Sequence, residues 1–334
     1  MSLHELLTYE FVQRALIAAV FTGFAAPAIG TYLVQRRLAL MGDGIGHVAV
    51  TGVALGLVTQ LSPTWTAVAV AVLGAVAIEL VRERGNVNGD LALALMFYGG
   101  LAGGVLLTGL GGQSAARLQQ YLFGAITTIG RDDLIATMVL AAIVVVVGVG
   151  LSPQLFAVSH DVDFARVAGL RVRYYNLLVA VLAAVSVTVA MRTVGLLLVS
   201  ALMVVPVATA QQLTTSFRRT LGVAMGLGVV ASVGGLVGPA MVPSSTVVAP
   251  GPAIIMVALA CFVLTWPIGS WTRRRARRRA PFTDSAPQVH EAAESHPHRH
   301  AAGCGHVAVV HHDHVDYVHD GHRHAAHGDH YDEH

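Results

Sequence analysis

The sequence predicts an all-α polytopic membrane protein of about nine transmembrane helices, followed by a disordered His-rich tail. Three observations lead there. Only 12% of the 334 residues are charged, against about one quarter in a soluble domain. The apolar residues gather in runs of roughly 20, the length that crosses a bilayer as a helix with its backbone groups bonded internally. Fourteen of the 17 histidines lie in residues 290–334, where those runs have stopped.

Nine spans are expected, at 11–34, 38–60, 64–82, 89–110, 133–151, 174–191, 194–212, 218–240 and 252–271. The N-terminus MSLHELLTYEFVQRAL has no basic leader and no small-residue cleavage site, so the first run is expected to stay as a span. Gly111 to Gly130 leaves room for a re-entrant segment between the fourth and fifth spans, and Arg192 falls in the short break before the seventh.

Orientation follows from the arginines, because loops rich in basic residues stay in the cytoplasm. Arg36 and Arg37 follow the first span, Arg82 and Arg84 the third, and Arg166, Arg171 and Arg173 the fifth. Arg218 and Arg219 follow the seventh, and RRRARRR follows the ninth. These are alternate loops, so they share one side. The N-terminus is expected outside and the C-terminus in the cytoplasm.

Charges inside the membrane are costly, about 2.5–3.5 kcal/mol at a helix centre, and are functional by default. Most of those here sit at span ends. Glu79 is expected to snorkel toward Arg82, and Asp90, Asp132 and Asp133 to cap helices. Asp43 and His47 differ. They lie four apart within an apolar run, so a helix puts them on one face. An ionised carboxylate and a neutral imidazole make half of a hard-to-borderline metal site. A packing hydrogen bond between them is the plain alternative. A symmetric dimer would bring a second Asp and His. Gly42, Gly44, Gly46, Gly52 and Gly56 thin the same helix for close approach by others.

Residues 151–176 form the longest polar connection. Pro153 closes the helix before it, and DVDFARVAGL has acids at its start and Gly169 at its end, the marks of a short surface helix. From Arg273 to residue 289 the chain reads as a basic lipid anchor and linker, with no nucleic-acid role assigned to the arginines. Residues 290–334 interleave histidine with acids. Such a tract buries no core and is expected to be disordered without a ligand and to bind metal at many exchangeable sites. Its candidate ligands are His298, His300, Cys304, His306, His311, His312, His314, His319, His322, His324, His327 and His330.

No GxxxxGK[ST] loop is present, so the chain cannot spend ATP itself, and no Ser–His–Asp or HExxH set suggests a hydrolase. Four blocks, YLVQRRLALMGDGIGHVAVTGVALG, YLFGAI, DVDFARVAGLRV and VGLLLVSALMVVPVATAQQL, occur in order across most of residues 1–272. In these the chain resembles the permease subunits of the ABC metal importers that take up zinc, manganese or iron, the ABC-3 family. The resemblance implies a type II importer-like permease domain at 1–272, which is not an enzyme. It would work as a homodimer in the bacterial inner membrane, with a separate cytoplasmic ATPase and an extracytoplasmic metal-binding lipoprotein.

It also implies that Asp43 and His47 lie on the metal path. Asp161, Asp163, Phe164, Ala165, Ala168 and Gly169 would belong to the helix coupling to the ATPase. Pro206 is expected to break the helix over Ser200 to Ala210. The histidines favour Zn2+ as both substrate and tail ligand, with manganese or iron as the alternative. A proton-coupled metal carrier, a membrane-anchored metal sensor and a siderophore or cobalamin permease are the rival readings.

Overall fold

Helices form over each expected apolar run. They are α1 (Glu10–Gln35), α2 (Met41–Thr59), α3 (Pro63–Glu83), α4 (Gly89–Leu110), α5 (Arg131–Gly150) and α6 (Ser152–His160). They continue as α7 (Val162–Val167), α8 (Val172–Thr193), α9 (Leu196–Leu213), α10 (Phe217–Met241) and α11 (Pro250–Arg279). This computed structural model describes residues 8–84, 89–112, 121–122, 124, 129–193, 195–241, 250–279, 291–292, 304–311, 314–319, 322–327 and 330–333. The chain divides into two compact units, Met1–Thr272 and Arg273–His334. Most of the stretch expected to be re-entrant, Gly111 to Gly130, lies outside the described residues, as do His298, His300 and His312.

Among the described residues eight helices are long and apolar enough to cross a membrane, and α9 adds a shorter apolar stretch, Val199–Leu213. Local chemistry sets several ends. Pro63 opens α3 in its first turn, where its missing N–H costs no bond. Pro153 likewise opens α6 after Leu151 separates it from α5. Gln60 ends α2 in the left-handed region, at φ 58°.

Pro206 does not break its helix, contrary to expectation: α9 runs through it to Leu213. Met203, Val207 and Ala210 on either side of the proline are buried, and such packing holds a proline-containing membrane helix together.

In the first unit α1, α2 and α8 are the most buried of the long spans, while α11 is the least buried. Helix α2 packs chiefly against α4 and α3, and α1 against α10 and α5. Tyr32, Ile29, Leu33, Met41, Ile45, Leu202 and Met203 fill the core. Tyr32 is tied by a 2.7 Å hydrogen bond from its hydroxyl to the Gly148 carbonyl.

The expected thinning of α2 takes a definite form. A Cβ at Gly52 would lie 2.7 Å from Ala67 Cα on α3. On α4, a Cβ at Gly100 would lie 2.5 Å from the His47 carbonyl carbon. Side chains at those two places would force the helices apart. Thr51 fastens the second contact by donating to the Gly100 carbonyl at 2.6 Å.

Two charge assignments need correction. Glu79 does not snorkel into water; it is 2% exposed. Its carboxylate instead bridges Arg82 at 2.7 Å and Arg36 at 3.3 Å. A fully buried carboxylate held between two guanidiniums joins α3 to the end of α1 and avoids an unpaired charge. Burial pushes the Arg36 pKa down, and the Glu79 charge beside it works in the opposite direction. Asp132 and Asp133 are not caps either: Gly130 holds the N-cap position, and both acids occupy the first turn of α5. There they face the positive helix end, and Asp133 accepts from the Thr64 hydroxyl at 2.9 Å.

The second unit carries strands where the sequence led to no regular structure. Its described part contains five strands, β1 (Glu291–Ala292), β2 (Val307–His311), β3 (His314–His319), β4 (His322–His327) and β5 (His330–Glu333). They form one antiparallel sheet in the order β1-β5-β4-β3-β2. The reason lies beneath the histidine bias: VAVVH, HVDYVH and HRHAAH are each followed by two residues and another strand, and two-residue connections favour hairpins. Asp316 and Ala325 are buried within this sheet.

Candidate metal site and cytoplasmic helix

Asp43 lies in the first turn of α2. That placement explains how an apolar helix tolerates the carboxylate, because the positive dipole end stabilises an anion. The Ser200 hydroxyl, on α9, donates to Asp43 Oδ1 at 2.6 Å. Met203, one turn further along α9, approaches the same turn of α2: its sulfur would lie 3.3 Å from a Cβ at Gly42.

His47 follows one turn deeper and is 6% exposed. The packing alternative, a hydrogen bond between Asp43 and His47, does not form; Asp43 bonds to Ser200, and His47 Nδ1 has no hydrogen-bond partner. Phe97 of α4 packs edge-on against the imidazole, with ring centroids 4.0 Å apart. A cavity of about 370 Å³ lies against this turn, lined by Leu40, Asp43, Gly44, Leu93, Ala94, Phe97 and Tyr98. Phe97 stands at the cavity wall and against His47, so it separates the imidazole from the space that Asp43 faces.

An oxygen donor is thus offered at the cavity, and an unsatisfied nitrogen waits behind an aromatic ring. Buried polar atoms are mostly paired; His47 Nδ1 is one of several buried side-chain atoms here without a hydrogen-bond partner, beside Ser186 Oγ and Ser232 Oγ. Among the described residues, no group of three or more His, Cys, Asp or Glu side chains is assembled as a metal site within this one chain. Ser200 fell inside a block matched by sequence, but its link to Asp43 had no sequence signal beyond a hydroxyl in an apolar run. Phe97 had none.

The segment after α6 forms the expected short helix. Asp161 caps α7 by accepting from the backbone N–H groups of Asp163 at 3.0 Å and Phe164 at 2.9 Å. At the other end Gly169, with φ 80°, donates to the Arg166 carbonyl, and Leu170 donates to Ala165, each at 3.0 Å. This paired termination needs the left-handed residue that glycine supplies without strain. Ala165 is fully buried and packs with Val158 and Val172. On the other side Phe164 is 63% exposed and Val167 89%. Asp163 and Arg166 form an exposed ion pair. A rigid, doubly capped turn therefore presents apolar side chains with nothing over them among the described residues.

Comparison with known proteins decides the family. Residues 8–268 match the family model described as the ABC 3 transport family. The chain belongs to this family. Its helical fold is that of the metal-importer permeases, and it is the permease of an ABC metal importer. It is 31% identical over 263 residues to the manganese transport system membrane protein MntC of Halalkalibacterium halodurans, covering 78% of this chain and 88% of that protein. It is equally identical, over 267 residues, to the manganese import system permease protein ScaB of Streptococcus parasanguinis, covering 80% and 93%. Among solved structures, PsaBC from Streptococcus pneumoniae in complex with Fab superposes with a TM-score of 0.72 at 29% identity, covering 81% of this chain and 97% of that one.

Proposed function

We propose that this ABC 3 permease carries manganese across the bacterial inner membrane, working as a homodimer with a separate ATPase and an extracytoplasmic metal-binding lipoprotein. The observation that carries this reading is the Asp43 carboxylate held by the Ser200 hydroxyl at a cavity, with His47 behind it. Oxygen donors suit Mn2+, and one imidazole is compatible with it. The relatives named as manganese permeases support the same choice. The zinc assignment rested on the histidine count of the tail, and those histidines belong to a separate unit of the chain.

In this reading the ion passes between two copies, each offering Asp43 and His47 as weak ligands that replace lost hydration. The ATPase grips α7 through Phe164 and Val167, and ATP turnover alternates access. The N-terminus lies outside and the tail in the cytoplasm, as the arginine pattern requires. Zinc stays as the second reading because the cytoplasmic tail carries so many imidazoles. It would bind arriving metal there through the set Cys304, His306, His311, His314, His319, His322, His324, His327 and His330, together with His298, His300 and His312. Uptake of radiolabelled Mn2+ in cells expressing the complete transporter, with unlabelled Zn2+ or Mn2+ as competitor, tests the assignment. Mn2+ uptake abolished by excess Mn2+ and barely altered by equal Zn2+ supports manganese. Saturable Zn2+ uptake with no Mn2+ uptake overturns it.

A further inference from the structure

A cavity of about 630 Å³ lies where α1 and α3 end and α8 begins, beside α7. Five arginines, Arg36, Arg82, Arg166, Arg171 and Arg173, stand on its wall with two carboxylates, Glu79 and Glu83. Glu79 is taken up by Arg36 and Arg82, and Glu83 pairs with Arg173 at 2.9 Å. Arg166 pairs with Asp163, which lies outside the wall. Among the described residues Arg171 enters no ion pair. Five arginines less two glutamates leave the wall three positive charges in excess, and counting Asp163 leaves two. Asn176 is on the same wall, and its buried Oδ1 has no hydrogen-bond partner.

We propose that this cavity binds a phosphate-bearing anion. Guanidiniums that converge on one space repel each other, and their planar forks suit phosphate oxygens, each of which can take two parallel N–H bonds. The volume falls within the roughly 300–1,000 Å³ of small-ligand sites. The N-terminal end of α8, a helix of 22 residues, adds positive potential at the cavity. The carboxyl ends of α1 and α3 oppose it, and Arg36 and Arg82 stand at those two ends. A phosphate held from both walls ties α7 and the start of α8 to the ends of α1 and α3. It therefore stiffens the helix that the ATPase is proposed to grip. An anionic lipid headgroup and a soluble cytoplasmic phosphate share this chemistry. The inference rests on the proposed orientation for the side from which the anion arrives, and not on the ion carried.

The test is calorimetric titration of pyrophosphate into the full chain in a non-ionic detergent at low salt, after lipid removal. Saturable binding is expected. Arg171→Gln should weaken it by at least about fivefold, as the loss of one charge-assisted contact at an exposed position. Arg171→Lys should retain most of it, and Arg219→Gln, a basic position outside the cavity wall, should stay within about twofold. Short-chain phosphatidylglycerol and phosphatidylcholine are then added as competitors. Displacement of pyrophosphate by the glycerol lipid alone assigns the site to an anionic headgroup, and no displacement by either assigns it to a soluble phosphate; both support the site. Absence of saturable binding by pyrophosphate and by phosphatidylglycerol, or equal binding by Arg171→Gln and the parent chain, overturns the proposal. Weaker association of Arg171→Gln with the ATPase, without any anion binding, gives the cavity to an acidic protein surface and overturns it too. Failure of metal transport leaves these results as they stand, because no metal enters the titration.

Discussion

Ser200 and Asp43, 157 residues apart in sequence, meet through a 2.6 Å hydrogen bond that joins α9 to the first turn of α2. The bond fixes a carboxylate whose charge the helix start already stabilises, and it leaves that carboxylate facing a cavity. Ser200→Ala removes a bond to a charged group, of a kind that contributes about 1.5–3 kcal/mol. The freed Asp43 should weaken metal affinity and raise the concentration for half-maximal uptake, while Ser200→Thr restores it. Transport kinetics of the two variants side by side check this; equal behaviour of both with the parent protein would count against a positioning role.

Gly100 lies against the His47 backbone, and no side chain fits there without moving α4 away from α2. Gly100→Val should cost about 1–3 kcal/mol, as overpacking does, and should lower the thermal midpoint in detergent. Gly99, one residue earlier on α4, has nothing near its Cβ position, so Gly99→Ala serves as the tolerated control.

Glu79 stands between Arg36 and Arg82 with almost no exposure. Glu79→Gln leaves the 12%-exposed Arg36 side chain without its counter-charge. Breaking a buried pair from one side costs about 3–5 kcal/mol, and the partial exposure of Arg82 favours the lower figure. Denaturation in detergent should show the loss, and Glu79→Asp should recover only part because the shorter side chain cannot reach both guanidiniums.

Phe164 is exposed on a helix whose ends are both capped, so Phe164→Ala should leave stability within about 0.5 kcal/mol, as surface changes do. Uptake and ATPase stimulation in the assembled transporter should fall sharply if α7 is the docking element. Retained coupling with the variant would show that the ATPase holds another surface.

The membrane architecture was legible because hydropathy and glycine spacing are local signals. Each expected span has its helix, and the short helix beginning beyond Asp161 was readable from its cap and from Gly169. What failed was partner choice across the fold. Glu79 reads as an edge charge until Arg36, 43 residues away, is brought beside it. Pro206 misled because the packing that keeps α9 continuous comes from other helices. In the tail, the histidine count drew the reading toward metal binding and away from the two-residue gaps that separate the short strands.

The central claim is that the Asp43 and His47 face of α2 carries a divalent ion. Radiolabelled Mn2+ uptake into proteoliposomes bearing the transporter and its ATPase, loaded with ATP and compared across Asp43→Ala, His47→Ala and the parent protein, tests it most directly. The account predicts ATP-dependent uptake in the parent and a loss of at least about tenfold, or 1.4 kcal/mol, in each variant, with folding and ATPase assembly intact. Uptake that survives both substitutions at the parental rate would contradict it.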